Sequence, residues 1–157
     1  MKHALVTGGA GAIGTVMSEA LLRAEATVRI WSRSQESIDK ALAHLKQFEG
    51  STNKAHGFSC DTGDEEAVKK TLAEAVEKFG KIDILINGVG GNIGKSPFVE
   101  TEVDVFEQVL HLNLVAGLVI PTKVLTSYWI ENNLKGSVIN LTSMASYNPL
   151  SGVWGYD

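Results

Sequence analysis

Thr7-Gly8-Gly9-Ala10-Gly11-Ala12-Ile13-Gly14 is the stretch on which the reading of this chain turns. A short apolar run, residues 4–7, leads into it. After it, Ile13, Met17, Ala20, Leu21 and Ala24 recur at the spacing of one helical face. Strand, glycine turn and helix in that order make a βα unit. Glycines allow the tight turn and let the backbone approach a pyrophosphate, whose charge the first N–H groups and the dipole of the helix favour. Glycine-rich turns also serve as plain connections, but at the first βα turn this one points to a dinucleotide.

The pattern continues outward from that turn. Apolar bursts at residues 28–31, 55–60, 82–86 and 138–141 read as four more strands. Between them lie helical stretches, marked by Ile38, Ala41, Leu42 and Leu45 and then by Val68, Leu72, Val76 and Phe79. Thr62 and Glu65 have the spacing of a capping box at the start of the latter. Two further helices are expected over residues 103–112 and 113–131. Pro121 lies inside the second, and Gly117, four residues earlier, relieves the crowding, so a kink is expected rather than a break. The burst at residues 82–86, the fourth strand, carries an apolar run that suits a sheet covered on both faces. Strands alternating with helices imply right-handed βαβ units and a doubly wound, Rossmann-like α/β fold with a parallel sheet, in one domain over residues 1–157.

Composition narrows the function. The chain has 157 residues, 44% hydrophobic and 20% charged, with a formal net charge of −4. Those fractions suit a globular domain, and the scattered basic residues give no footprint for nucleic acid or an anionic membrane. Cys60 is the single cysteine, so no intramolecular disulfide can form. The apolar run at the N-terminus is too short for a signal-peptide core or a membrane span, and a cytoplasmic location is expected.

Thr7-Gly8 followed by Ala12-Ile13-Gly14 resembles the Thr-Gly-x-x-x-Gly-x-Gly turn of the short-chain dehydrogenase/reductase family, with Ala12 in place of the middle glycine. The resemblance implies that Gly8, Ala10, Gly11, Ala12, Ile13 and Gly14 bind the cofactor. It makes Asp61, with Thr62, the contact to adenine, and likens Asn87-Gly88-Val89-Gly90 to the family segment that supports the sheet and borders the cofactor. Glu25 stands where the family usually ends its first helix with glycine, which should affect only the local cap. At the end of the second strand a carboxylate would accept from a ribose 2′-OH and repel a 2′-phosphate. Ser32 and Arg33 stand there instead, and a guanidinium suits a phosphate. NADP is therefore expected, with NAD as the alternative.

Reduction of a carbonyl needs a proton donor at the developing alkoxide and a second hydrogen bond to that oxygen. By the resemblance, Tyr156 is the general acid/base, Ser143 orients the substrate oxygen, and Asn113 holds a water of the proton relay. Each has a plainer reading, as a packed tyrosine, a serine after a strand or an asparagine cap. The family's glycine three residues after that asparagine is Ala116 here, with Gly117 one later. The family's lysine, four residues after the tyrosine, falls beyond Asp157, and with it the following helix, the last two strands and the substrate loop. The resemblance thus implies an NAD(P)-dependent oxidoreductase acting on a small carbonyl or alcohol substrate. The 157-residue chain alone is expected to be inactive and prone to associate through a bare sheet edge. A full-length protein is expected to form a dimer or tetramer. The competing readings are a non-catalytic nucleotide-binding half-domain or partner subunit, and a sugar-nucleotide epimerase, whose glycine turn is spaced differently. The segments Asn87 to Asn92 and Pro149-Leu150 resemble the branch that reduces keto sugar acids such as fructuronate, with Tyr147 and Trp154 as candidate pocket residues.

Overall fold

The computed structural model describes residues 1–48, 53–148, 152, 154 and 156. Pro149, Leu150 and Asp157 lie outside the described residues. Five strands, β1 (His3–Thr7), β2 (Thr27–Ser32), β3 (Ala55–Ser59), β4 (Ile84–Asn87) and β5 (Ser137–Asn140), form one sheet in the order β3-β2-β1-β4-β5. Every pairing is parallel, with Leu5 opposite Arg29 on one side and Leu85 on the other. The sheet matches the doubly wound architecture expected from the sequence.

Alternation along the strands feeds two cores. Val6, Ile30 and Ile86 pack against α1 (Ala12–Arg23) and α2 (Gln35–Leu45) through Leu22, Ile38 and Leu45. Leu5, Trp31 and Leu85 face α3 (Glu65–Phe79) and α5 (Ile120–Glu131) through Leu72, Leu125 and Trp129. The Trp129 Nε1–H donates to the carbonyl of Ile82 at 2.7 Å, which ties α5 to the entry of β4.

Three local expectations need correction. The inner face of α1 is Gly14, Ser18 and Leu22, with Met17 and Leu21 half-buried, whereas Ile13 is 66% exposed and Ala20 and Ala24 are exposed. Small residues win the inner face because the helix start presses against its own turn: a Cβ at Gly14 would stand 2.3 Å from the carbonyl oxygen of Gly8, itself at φ +66°. The cap of α3 is Asp64, not Thr62. Its carboxylate sits one residue before the helix and accepts from the Glu66 and Ala67 amides at 2.9 and 3.2 Å, while Thr62 is buried. Finally, residues 103–131 form one continuous helical rod: α4 (Val103–Leu110), a π-helical segment (His111–Val119) and α5. Pro121 falls in the first turn of α5, directly after the π winding, so its missing N–H is absorbed by a change of winding. By length and composition this rod could cross a membrane, but here it packs on α3 and β4.

Glu25 ends α1 at φ +63°, in the left-handed region where glycine is cheapest, and its carboxylate meets Lys54 at 2.5 Å. Arg29, fully buried on β2, donates through Nη2 to the carbonyls of Phe79 and Gly80 and so binds the C-terminus of α3 to the sheet. The His56 ring stacks on Phe79 with centroids 3.6 Å apart.

Burial, reinforced by the Arg29 guanidinium, holds the His56 imidazole below its usual 6.5. Burial and then Arg29 do the same to His3, with Asp83 opposing. A histidine depressed in the folded state takes up its proton first in the unfolded chain, so acid favours unfolding. The histidine contribution should be flat above pH 6.5 and turn against folding below it. The thermal midpoint should drop between pH 7 and pH 5, and His56→Gln should make that drop shallower. Equal drops in both proteins would show that His56 contributes nothing to the acid limb.

Candidate functional site

In a parallel sheet the C-terminal strand ends share one edge, and the loops leaving β1, β2, β3 and β4 meet there. A groove of about 280 Å³ lies across them. Gly8 and Gly11 form its floor at the first turn, Ser32 and Arg33 border it after β2, and Asp61 and Thr62 border it after β3. Gly88 and Val89 close it after β4. These eight of the expected cofactor residues come together. Asp61 is exposed, and one of its carboxylate oxygens accepts from the Gly63 amide at 2.9 Å, which holds it at the rim. Arg33 is exposed, and its carbonyl accepts from the Ser59 hydroxyl, so β3 braces the chain where β2 ends.

The other expected contacts are placed differently. Ala10 and Ala12 line a second groove between α1 and α2, together with Lys40 and His44, while Gly11 lies on both. Gly14 is buried beneath the turn, and Ile13 projects outward. Their amides still belong to the first turn of α1, where N–H groups have no intrahelical acceptor. Asn87 faces into the sheet: its Nδ2 donates to the Thr122 hydroxyl and to Asn140 Oδ1, both at 2.8 Å. It joins β4, β5 and α5, and supports the groove without lining it.

Trp31, Cys60, Gly90, Leu112 and Ala116 also line the groove. Sequence periodicity marked Trp31 and Cys60 only as strand residues. Leu112 and Ala116 are one turn apart on the π segment, a signal available only once that winding is known. Burial raises the Cys60 thiol, a Thr71 hydrogen bond opposing, so it stands in the groove wall as a neutral thiol.

Asn113 is not at a helix start. It lies in the π segment at mid-rod, and its side chain clasps the loop after β4. Oδ1 accepts from the Gly91 amide at 2.8 Å, and Nδ2 donates to the Gly91 carbonyl at 2.7 Å and to Val109 O at 2.8 Å. The wider winding also explains why the glycine of the rod is Gly117. A Cβ there would stand 2.5 Å from the carbonyl oxygen of Val89, so the residue four after Asn113 must be bare for the loop to lie against the rod.

Ser143 lies just past β5, which runs beside β4 with Leu141 N–H donating to Asn87 O at 3.1 Å. It is half-buried, and its Oγ accepts from the Ala145 amide at 3.1 Å. Among the described residues its own proton meets no acceptor, so it can be donated outward. Tyr156 is half-buried. Tyr147 is 90% exposed, and the Trp154 indole is docked on the loop after β4. Among the described residues no hydrogen bond joins Asn113, Ser143 and Tyr156 directly.

With this geometry established, likeness to known proteins fixes the family. The sequence profile of the short chain dehydrogenase family matches residues 2–157. The chain is 33% identical over 156 residues to 2-dehydro-3-deoxy-D-gluconate 5-dehydrogenase of Formosa agariphila, covering 99% of this chain and 57% of that protein. It is 30% identical over 156 residues to the human mitochondrial dehydrogenase/reductase SDR family member 2, covering 99% of this chain and 54% of that protein. The crystal structure of an NAD+-bound xylitol dehydrogenase superposes with a TM-score of 0.90 at 29% identity, over 99% of this chain and 58% of that one. The chain belongs to the short-chain dehydrogenase/reductase family, and it spans about half the length of the relatives it matches.

Because Val89 O leaves no room for a side chain at position 117, Gly117→Ala should destabilise the fold by about 1–3 kcal/mol, the usual scale for overpacking. Denaturant unfolding would measure it. A loss under about 0.5 kcal/mol, the scatter of neutral surface substitutions, would mean that the loop does not lie against the rod.

Proposed function

We propose that this chain is the nucleotide-binding part of an NAD(P)-dependent oxidoreductase that interconverts a small carbonyl compound and its alcohol. The observation that carries the reading is the groove at the C-terminal sheet edge, bordered at one end by Arg33 and Asp61 and continued by Gly88 and Val89 toward the loop that Asn113 clasps. A dinucleotide fits these residues. The bare backbone at Gly8 and Gly11 and the unpaired amides of α1 accept a pyrophosphate, and Asp61 accepts from an exocyclic amino group. When bound, the cofactor supplies or takes the hydride.

The chain's own groups handle the proton and the oxygen. Tyr156 donates its phenolic proton to the alkoxide oxygen in reduction and takes it back in oxidation. Ser143 donates its hydroxyl hydrogen to the same oxygen, where charge accumulates. Asn113 fixes the loop after β4 and, on this reading, serves the proton relay beside it. A sugar-acid substrate is the finer reading: it draws support from the resemblance over Asn87 to Asn92 and from the Formosa relative, whose name is that of a sugar-acid dehydrogenase.

NADP is the preferred cofactor in this reading. No carboxylate stands at the end of β2, and the Arg33 guanidinium borders the groove there. Arg33→Ala should weaken NADPH binding by a factor of about ten to a hundred, the scale of a charge-assisted hydrogen bond, and leave NADH nearly unchanged. Titration calorimetry with both cofactors tests this, and an equal loss for both would show that Arg33 does not meet the 2′-phosphate.

Tyr156→Phe keeps the ring and removes the proton. Turnover in the complete protein should fall by a factor on the order of 10² or more, with cofactor affinity nearly unchanged. Steady-state kinetics with a panel of keto sugar acids would show it. Near-normal turnover in a folded variant would make Tyr156 a packing residue.

A further inference from the structure

The segment carrying Tyr156 is held by the loop after β4. Trp154, two residues before the tyrosine, donates its Nε1–H to the Ser96 carbonyl at 3.0 Å, across 58 residues of sequence. Its ring meets Phe98 nearly edge-on, with centroids 5.7 Å apart at 84°. In return the Ser96 amide donates to the Gly152 carbonyl at 3.2 Å. Gly152 adopts φ +81°, and a Cβ there would stand 2.9 Å from Lys95 Cγ, so the lysine stem lies close against that backbone. The Ser96 hydroxyl shares a 2.8 Å hydrogen bond with Thr101, which braces the far side of the loop.

The same loop is anchored at its other end. Gly88, Val89 and Gly90 line the cofactor groove, and Gly91 is clasped by Asn113. One loop therefore joins three things in order: the groove, the Asn113 anchor and the Tyr156 segment. The polar atom and one ring contact of Trp154 are committed to that loop, so the indole acts as a clamp on it.

We propose that Trp154 is a positioning residue for Tyr156: its docking on Ser96 and Phe98 sets the phenol's segment against the loop that Asn113 fixes on the helical rod. The chemistry acts at Tyr156, and Trp154 acts through it. This rests on the reading of Tyr156 as proton donor, so the test has an arm that needs no turnover.

Trp154→Phe removes the N–H and keeps a ring, while Phe98→Leu removes the ring contact and keeps the N–H. In the complete protein, either change should loosen the docked segment and so speed exchange of the Ser96 amide, which donates to the Gly152 carbonyl, by about tenfold. Each should lower kcat by a similar factor while the Kd for NAD(P)H stays constant, because the clamp does not line the groove. The double variant should lose less than the product of the two singles, since both act through one contact. Unchanged exchange at Ser96 would overturn the proposal. So would faster exchange with undiminished kcat, or a Kd that weakens in step with kcat. Near-normal turnover in a folded Tyr156→Phe variant would defeat the proton-donor reading instead, and the exchange at Ser96 would still decide whether Trp154 docks.

Discussion

The clasp of Asn113 on Gly91 is the contact around which the candidate site is arranged. A carboxamide that accepts from an amide and donates to the carbonyl of the same residue imitates a pair of strand hydrogen bonds, and so holds a loop as firmly as a sheet would. The rod is π-wound there, and its Val109 carbonyl accepts the second N–H of the same carboxamide. It also places the bare Gly117 under Val89, and sets Leu112 and Ala116 against the cofactor groove. π-helical turns are uncommon and concentrate at functional sites, and this one lines the groove with Leu112 and Ala116 and carries Asn113.

The sheet supplies the second constraint. Five parallel strands aim their carboxyl ends at one edge, so every connection that leaves them is available to a ligand without any element being bent to reach it. Polar groups inside that edge are paired across elements: Asn87 spans β4, β5 and α5, and the Thr7 hydroxyl receives the Gly88 amide. At the opposite edge, Arg29 closes the C-terminus of α3 by donating to its last carbonyls from a fully buried position. A buried guanidinium is costly unless it is hydrogen-bonded, and the helix C-terminus, with its free carbonyls and partial negative charge, offsets part of that cost.

The apolar surface of the rod and of the sheet edge bears on association. Leu110, Leu114 and Val119 on the rod, and Ile139 and Leu141 at β5, are between 39 and 52% exposed. Among the described residues β5 pairs only with β4. Exposed apolar area of this kind on a sheet edge favours contact with further protein.

Much of the fold could be read directly from residue order. Alternating apolar bursts and helical periods determined the βα succession, and the glycine turn determined where a phosphate could approach, because only residues without a Cβ fit that backbone. The groove residues after β1, β2, β3 and β4 were legible for the same reason, since each follows a strand end. What the sequence could not determine were features set by packing between distant segments. Asp64 displaced Thr62 as cap because Thr62 was drawn into the interior. Gly14 and Ser18 displaced Ile13 on the inner face of α1 because the helix presses on its own turn. Two expected helices fused into one rod, which takes up Pro121 directly after its π winding and carries Asn113 against Gly91, 22 residues away in sequence. The clamp between Trp154 and Ser96 belongs to the same kind. Local pattern fixes which residues can form a strand, a turn or a helix, but a hydrogen bond across tens of residues exists only when tertiary packing brings its two ends together.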